Sequence, residues 1–169
     1  MTGADGTDGG TDVAPEPDDP WTELLADTEE IATEYREAGW EAVAVRPTDV
    51  TAVNREERAW LTVFATDAEY EPVASVVDRD EATFEGADVY RRQVKETTYV
   101  LAVELDAATE TAVVVPLSYD LAEGRGVLES ALEAGELTVR VRPPSIDDGW
   151  VSFAHDEPSL FVADDAFER

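Results

Sequence analysis

The sequence predicts a single α+β domain: a mainly antiparallel sheet with about three helices packed on one face, the N-terminal helix coming first. Three observations predict it. Residues 98–105 (TYVLAVEL) and 111–119 (TAVVVPLSY) are rich in β-branched and aromatic side chains and are joined by the polar stretch 106–110, which is the pattern of a hairpin. Residues 21–35 repeat apolar side chains at spacings of three and four, the period of an amphipathic helix. Strand-like segments outnumber helical ones and follow one another through short turns, which favours α+β over a regularly alternating chain.

Taken in order, residues 1–19 are mostly Gly, Asp, Thr and Pro, a composition that cannot offset the entropy of ordering, so an acidic disordered tail is expected. The domain is expected over 20–161. Asp19 as N-cap, Pro20 at the first helical position and Glu23 in the first turn start a helix. Trp21, Leu24, Leu25, Thr28, Ile31, Ala32 and Tyr35 form its buried face and Gly39 ends it. Glu23, Asp27, Glu30, Glu34 and Glu37 fall on the solvated side. Residues 40–46 alternate with Val43 and Val45 inward and read as a strand that Pro47 stops. Residues 48–58 are polar and read as a loop.

Residues 59–65 predict a second strand, with Trp60 and Phe64 on one face and Leu61 and Val63 on the other. Asp67 would cap a short helix bearing Tyr70, Val73 and Val77, with Pro72 near its start. Residues 80–86 read as a loop and 87–94 as a strand pairing with the hairpin. In the hairpin's first strand Tyr99, Leu101, Val103 and Leu105 share a face, and Val100 and Ala102 on the other are also apolar. Cover on both faces is therefore expected. A helix over Asp120 to Leu132 ends at Gly135. Leu137, Val139 and Val141 then alternate with Thr138, Arg140 and Arg142 in a half-buried strand ended by Pro143 and Pro144. Asp148 and Gly149 make a turn, residues 150–155 return as the last strand, and 162–169 are expected to be a tail.

Charge sets the milieu. Among 169 residues, 40 acids face 12 cations, a formal net charge of -28, and Lys95 is the single lysine. At about 1 M salt the Debye length is only about 3 Å, so repulsion among surface carboxylates is screened while their hydration keeps the protein soluble. Adaptation to molar salt, and a haloarchaeal source, are the expectations. Such a charge opposes binding to a phosphate backbone, so no nucleic-acid partner is expected. There is no cysteine, hence no disulfide, thiolate metal site or Cys nucleophile. No apolar run approaches eighteen residues and residues 1–5 lack a signal peptide's basic start, so no membrane partner and a cytoplasmic location are expected.

Two sets of residues could carry chemistry. His155 is the one histidine, so any imidazole acid-base or metal chemistry must pass through it. It shares a strand face with Val151 and Phe153, and its partner would be Asp156 or a carboxylate from across the sheet. The structural alternative, preferred here, is a strand-end histidine bonded to a neighbouring backbone group or acid. The second set is Arg140 and Arg142 on one strand face, with Arg91, Arg92 and Lys95 crowded in another segment. Guanidinium forks suit carboxylate or phosphate, so the arginines would bind a small anion. With forty acids available, cross-strand ion pairing is the competing explanation.

Other motifs lack their frames. No His-Glu-x-x-His or EF-hand spacing occurs, and Asp147-Asp148 and Asp164-Asp165 read as hydration sites. Gly124-Arg125-Gly126 lacks the spacing and the Lys-Ser or Lys-Thr of a phosphate loop, and no serine has a nucleophile-elbow setting. No metal site or cofactor is implied.

The order of landmarks is itself distinctive: Pro20-Trp21-Thr22-Glu23-Leu24-Leu25, Tyr35 to Glu41, Val115-Pro116-Leu117-Ser118-Tyr119-Asp120, Glu133 to Leu137, Val141-Arg142-Pro143, and Val151 to Phe161. Over residues 20–161 the chain resembles an uncharacterised family of small acidic haloarchaeal proteins, a domain of unknown function. The resemblance implies a source and a boundary and carries no activity. The first functional expectation is therefore a soluble, non-enzymatic binding domain for a partner protein or small anionic ligand. The alternative is a small enzyme or ligand sensor using His155 and strand arginines in a cleft, and a homodimer joined through an edge strand is the third.

Overall fold

The computed structural model describes residues 19–55, 58–77, 84–144 and 149–162. The acidic pairs Asp147-Asp148 and Asp164-Asp165, and nearly all of both expected tails, lie outside the described residues. In chain order the elements are α1 (Pro20–Glu37), β1 (Glu41–Ala44), β2 (Asp49–Arg55), β3 (Arg58–Phe64), α2 (Asp67–Val77), β4 (Gly86–Val94), β5 (Thr97–Asp106), β6 (Thr111–Asp120), α3 (Leu121–Ala134), β7 (Leu137–Arg142), β8 (Val151–His155) and a closing 3-10 turn (Pro158–Phe161). The α+β class and the leading helix are as the sequence predicts.

The strands divide between two sheets of four, ordered β1-β6-β5-β4 and β2-β3-β7-β8. Antiparallel pairings predominate, and each sheet contains one parallel pair, β1 with β6 and β3 with β7. The expected hairpin is β5 and β6, paired from Thr97 opposite Asp120 to Asp106 opposite Thr111. Its turn is closed locally: the Asp106 carboxylate accepts the Ala108 N–H at 3.2 Å and the Thr109 hydroxyl at 2.8 Å. Asp and Asn favour turns because their short side chains bond backbone two residues on.

Both faces of that hairpin are covered. On the inner face Val100, Ala102, Val113, Val115, Leu117 and Tyr119 share one core with Leu61, Val63, Val139, Val141, Val151 and Phe153 of the second sheet, together with Val127 and Leu128 of α3, Val73 and Val76 of α2, and Phe161. On the outer face Leu101, Val103, Ala112 and Val114 pack beneath α1 through Ala32, Leu24, Ile31 and Tyr35. Each fully buried Val or Leu contributes about 1.5 to 3 kcal/mol of apolar transfer, so this double layer is the main stabilising mass. The helices thus do not share one face of one sheet. Helix α1 covers the outer face of the first sheet, while α2 and α3 close the core common to both.

The stretch 48–58, expected as a loop, contains strand β2. It pairs antiparallel with β3 from Asp49 opposite Phe64 to Arg55 opposite Arg58. Its sequence DVTAVNR mixes polar with small apolar residues, of which Val50 and Ala52 lie against the core. An edge strand needs only one neighbour's backbone and a half-covered face, so its own hydrophobic signal is weak. In α2 the cap is Thr66 rather than Asp67, its hydroxyl accepting the Glu69 N–H at 3.3 Å. Val76 is buried there with Val73, while Val77 lies at the margin of the core.

Helix α3 starts after Asp120 and ends at Gly135, whose φ of +77° is a left-handed value that glycine adopts without strain. Gly124 answers a different need. A Cβ built on it would lie 2.5 Å from Cδ2 of Tyr119, and that ring is pinned because the Tyr119 hydroxyl donates to the Phe161 carbonyl at 2.7 Å. Replacing Gly124 with Ala is therefore expected to destabilise the domain by about 1 to 3 kcal/mol through overpacking, seen as a lower thermal midpoint in molar KCl. Pairing it with Tyr119→Leu, which vacates the ring, should recover part of that loss.

Candidate functional site

Strand period places Val151, Phe153 and His155 on the inward face of β8, and Val100, Ala102 and Glu104 on the inward face of β5. The two end residues meet across the core. His155 Nε2 lies 2.7 Å from Glu104 Oε2, joining the second sheet to the first. Both are buried, with exposures of 6% for His155 and 1% for Glu104. The imidazole also stands edge-on to Phe161 at 4.8 Å between ring centroids. Burial pushes the Glu104 carboxyl above its ordinary 4.5, and the bond and charge of His155 pull it partly back.

Sequence reasoning anticipated a carboxylate from across the sheet without identifying Glu104. The signal was present: Glu104 is an acid flanked by Val103 and Leu105 in a strand apolar on both faces, at an inward position. Asp156, the other candidate partner, is exposed beyond the strand end. It lines a cavity of about 490 Å³ with Phe84 and Phe153, in which His155 takes no part. The pair thus has the hydrogen bond of an acid-base dyad and lies buried between the two sheets.

The four arginines fall in three places. Arg91 and Arg92 are neighbours on β4 and therefore point to opposite faces. Arg91 Nη1 donates to the Leu160 carbonyl at 3.3 Å, and Arg92 Nη1 reaches Glu23 of α1 at 2.8 Å, an exposed pair. Lys95 turns the chain after β4 with φ of +57°. Arg140 and Arg142 alone stay together, on the outer face of the second sheet. The register sets Arg140 beside Thr62 and Ser152, and Arg142 beside Phe64. His155 is on the inner face of the same sheet, so the backbone layer separates it from them.

Those two arginines are held by aromatic rings. The Arg140 guanidinium carbon lies 4.1 Å from the Trp60 ring centroid and 4.9 Å from that of Trp150. The Arg142 carbon lies 5.7 Å from Phe64 and 5.8 Å from Trp150. Trp150, 46% exposed, is thus shared by both cations. The buried Nε of Arg142 has no hydrogen-bond partner among the described residues. Cation-ring contacts of this kind contribute about 0.5 to 2 kcal/mol each, depending on desolvation. Beside them, Trp60, Ser130, Glu136, Thr138 and Arg140 line a cavity of about 170 Å³ under the end of α3.

Among the described residues no group of three or more His, Asp or Glu side chains is placed to hold a metal. What this face can do chemically is present planar, always-charged donors to a carboxylate or phosphate.

The buried pair predicts a sharp asymmetry between variants. His155→Ala should cost about 3 to 5 kcal/mol because it leaves Glu104 buried without its partner, whereas Glu104→Leu combined with His155→Phe should cost far less. The pH dependence of His155→Ala follows from the raised Glu104 value. A carboxyl that binds its proton more tightly folded than unfolded stabilises the fold as pH falls from neutral toward 4.5. Urea titrations of His155→Ala against His155→Ala/Glu104→Gln should show that slope in the first and not in the second.

No curated protein matches the chain. A family model does, over residues 9–163, a span that opens ahead of α1 and closes just after Phe161. By that match, covering nearly the whole sequence, the chain belongs to the family of unknown function DUF7529.

Proposed function

We propose that the protein is a non-enzymatic binding domain of a salt-adapted cytoplasm, and that it recognises an anionic group, carboxylate or phosphate, through the outer face of β3, β7 and β8. The observation that carries this reading is the alternation of rings and guanidiniums along Trp60, Arg140, Trp150, Arg142 and Phe64. In a chain with 12 cations against 40 acids, two half-buried arginines stacked on aromatic faces concentrate positive charge where it is scarcest. Stacking also fixes the guanidinium planes before a ligand arrives, which lowers the ordering cost of binding. The alternative, a small enzyme or sensor that combines His155 with a strand arginine, needs those groups to converge on one substrate atom. Arg140 and Arg142 lie on the opposite face of the second sheet from His155, Arg91 on β4 is bonded to the Leu160 carbonyl, and His155 is bonded to Glu104.

The salt adaptation rests on the charge balance, and the cytoplasmic setting is proposed with it. Among the described residues no helix is long and apolar enough to cross a membrane.

Trp60 and Trp150 report on the proposed site directly. Titrating the protein with inorganic phosphate and with citrate in molar KCl should give a saturable change in tryptophan emission, weakened at least about tenfold in Arg142→Gln, the loss of one charge-assisted hydrogen bond. A response that does not saturate, or that persists unchanged in that variant, would remove this face as the site. Separately, far-ultraviolet circular dichroism should show structure lost on dialysis from molar to millimolar KCl, where the Debye length grows from about 3 Å to tens of ångströms. An unchanged spectrum would contradict the salt adaptation.

A further inference from the structure

Strand β4 is one of the two edge strands of the first sheet; the closing 3-10 turn lies near it through the bond from Arg91 to the Leu160 carbonyl, and no strand pairs with its other side among the described residues. It is also the longest edge of either sheet: nine residues, against four in β1, seven in β2 and five in β8. Proteins blunt such edges by keeping them short or interrupting them with proline or a bulge. Here the run GADVYRRQV contains no proline and pairs with β5 residue for residue from Gly86 to Val94, without a bulge. At roughly 3.4 Å per residue it presents about 30 Å of regular edge.

The chemistry along this edge is complementary to itself. Asp88, Tyr90 and Arg92 share the face toward α1, and all three are exposed, Tyr90 at 54%. An antiparallel pairing with a second copy about a two-fold axis at Tyr90 sets Asp88 opposite Arg92 of that copy, and Arg92 opposite its Asp88. Tyr90 faces itself at the axis, and on the other face the apolar stem of Arg91 lies over Val89. Moving the axis to Arg91 or Arg92 would instead oppose guanidinium to guanidinium, so the charges choose the register. We infer that the protein forms a two-fold dimer by antiparallel pairing of β4 with β4 of a second copy, centred on Tyr90. The pairing makes one continuous sheet of eight strands and is isologous, as a closed dimer requires.

Two neighbouring features fit. The Arg92 bond to Glu23 is solvent-exposed on both sides, with 55% and 37% side-chain exposure, so it holds Arg92 only weakly against a second carboxylate. A groove of about 350 Å³ between α1 and β4 is floored by Leu24, Ile31 and Leu101 and edged by Tyr90. Pairing at the axis covers its open side with the second copy. Asp27, Glu30 and Glu34 along the same groove would repel their counterparts in dilute buffer and be screened in molar salt.

Light scattering and sedimentation equilibrium of the full chain in molar KCl test the inference, with circular dichroism confirming that each variant is folded. The wild type should have twice the 18.4 kDa mass of one chain. Asp88→Arg and Arg92→Asp each turn two cross-strand attractions into repulsions, and each should weaken dimerisation about tenfold or more. The double variant Asp88→Arg/Arg92→Asp restores the opposite-charge pairs between copies while leaving the Glu23 contact broken, and should dimerise like the wild type. A monomeric wild type would overturn the inference. So would single variants that dimerise unchanged, or a double variant that stays as weak as the singles.

Discussion

A carboxylate and an imidazole face each other at 2.7 Å inside the core, one from the centre of the first sheet and the other from an edge of the second. Each group supports the other there, because a carboxylate buried in an apolar interior is far more costly alone than paired. The apolar contacts around them tolerate many relative positions of two sheets, whereas a hydrogen bond between side chains tolerates few. Glu104 and His155 therefore define how the sheets meet. Phe161, packed edge-on against the imidazole, and Tyr119, bonded to the Phe161 carbonyl, bring the closing 3-10 turn to the same place.

The hairpin β5 and β6 is the element that both layers share. One face builds the core with the second sheet and the other carries α1, so its apolar residues serve two packing interfaces while its polar ones have single tasks. Asp106 shapes the turn and Glu104 holds His155. The ring-stacked arginines lie on the outer face of the second sheet, and the exposed Asp88, Tyr90 and Arg92 lie along the β4 edge of the first. The proposed anion face is polar and its guanidiniums are stacked on rings, and the proposed pairing edge supplies backbone groups whose pairing would depend on register.

Much of the secondary structure was legible in the residues. Asp19, Pro20 and the three-and-four spacing through Tyr35 marked α1, Gly135 marked the end of α3, and the alternation of Leu137, Val139 and Val141 with Thr138, Arg140 and Arg142 marked β7. Strand β2 was not, because an edge strand's pairing lies in its neighbour's backbone and Thr51, Asn54 and Arg55 leave little apolar trace. The candidate site was legible in part. Arg140 and Arg142 were adjacent by strand period alone, since two residues apart is the same face. Of their ring partners, Trp60 and Phe64 lie on β3 and Trp150 just before β8, and only the parallel register of β3 with β7 brings the first two alongside.

The sequence by itself determined the local matters: most of the helices and strands, β2 excepted, which face of each is apolar, and how acidic the chain is. Periodicity and composition act within a few residues, so one chain suffices to read them. Only the tertiary structure decided that the strands form two sheets, that Arg91 and Arg92 part from Arg140 and Arg142, and that the partner of His155 is Glu104, 51 positions away in the chain. Strand order is set by long-range pairing and by the shape of the shared core. No residue's own preferences record which distant strand its backbone will bond.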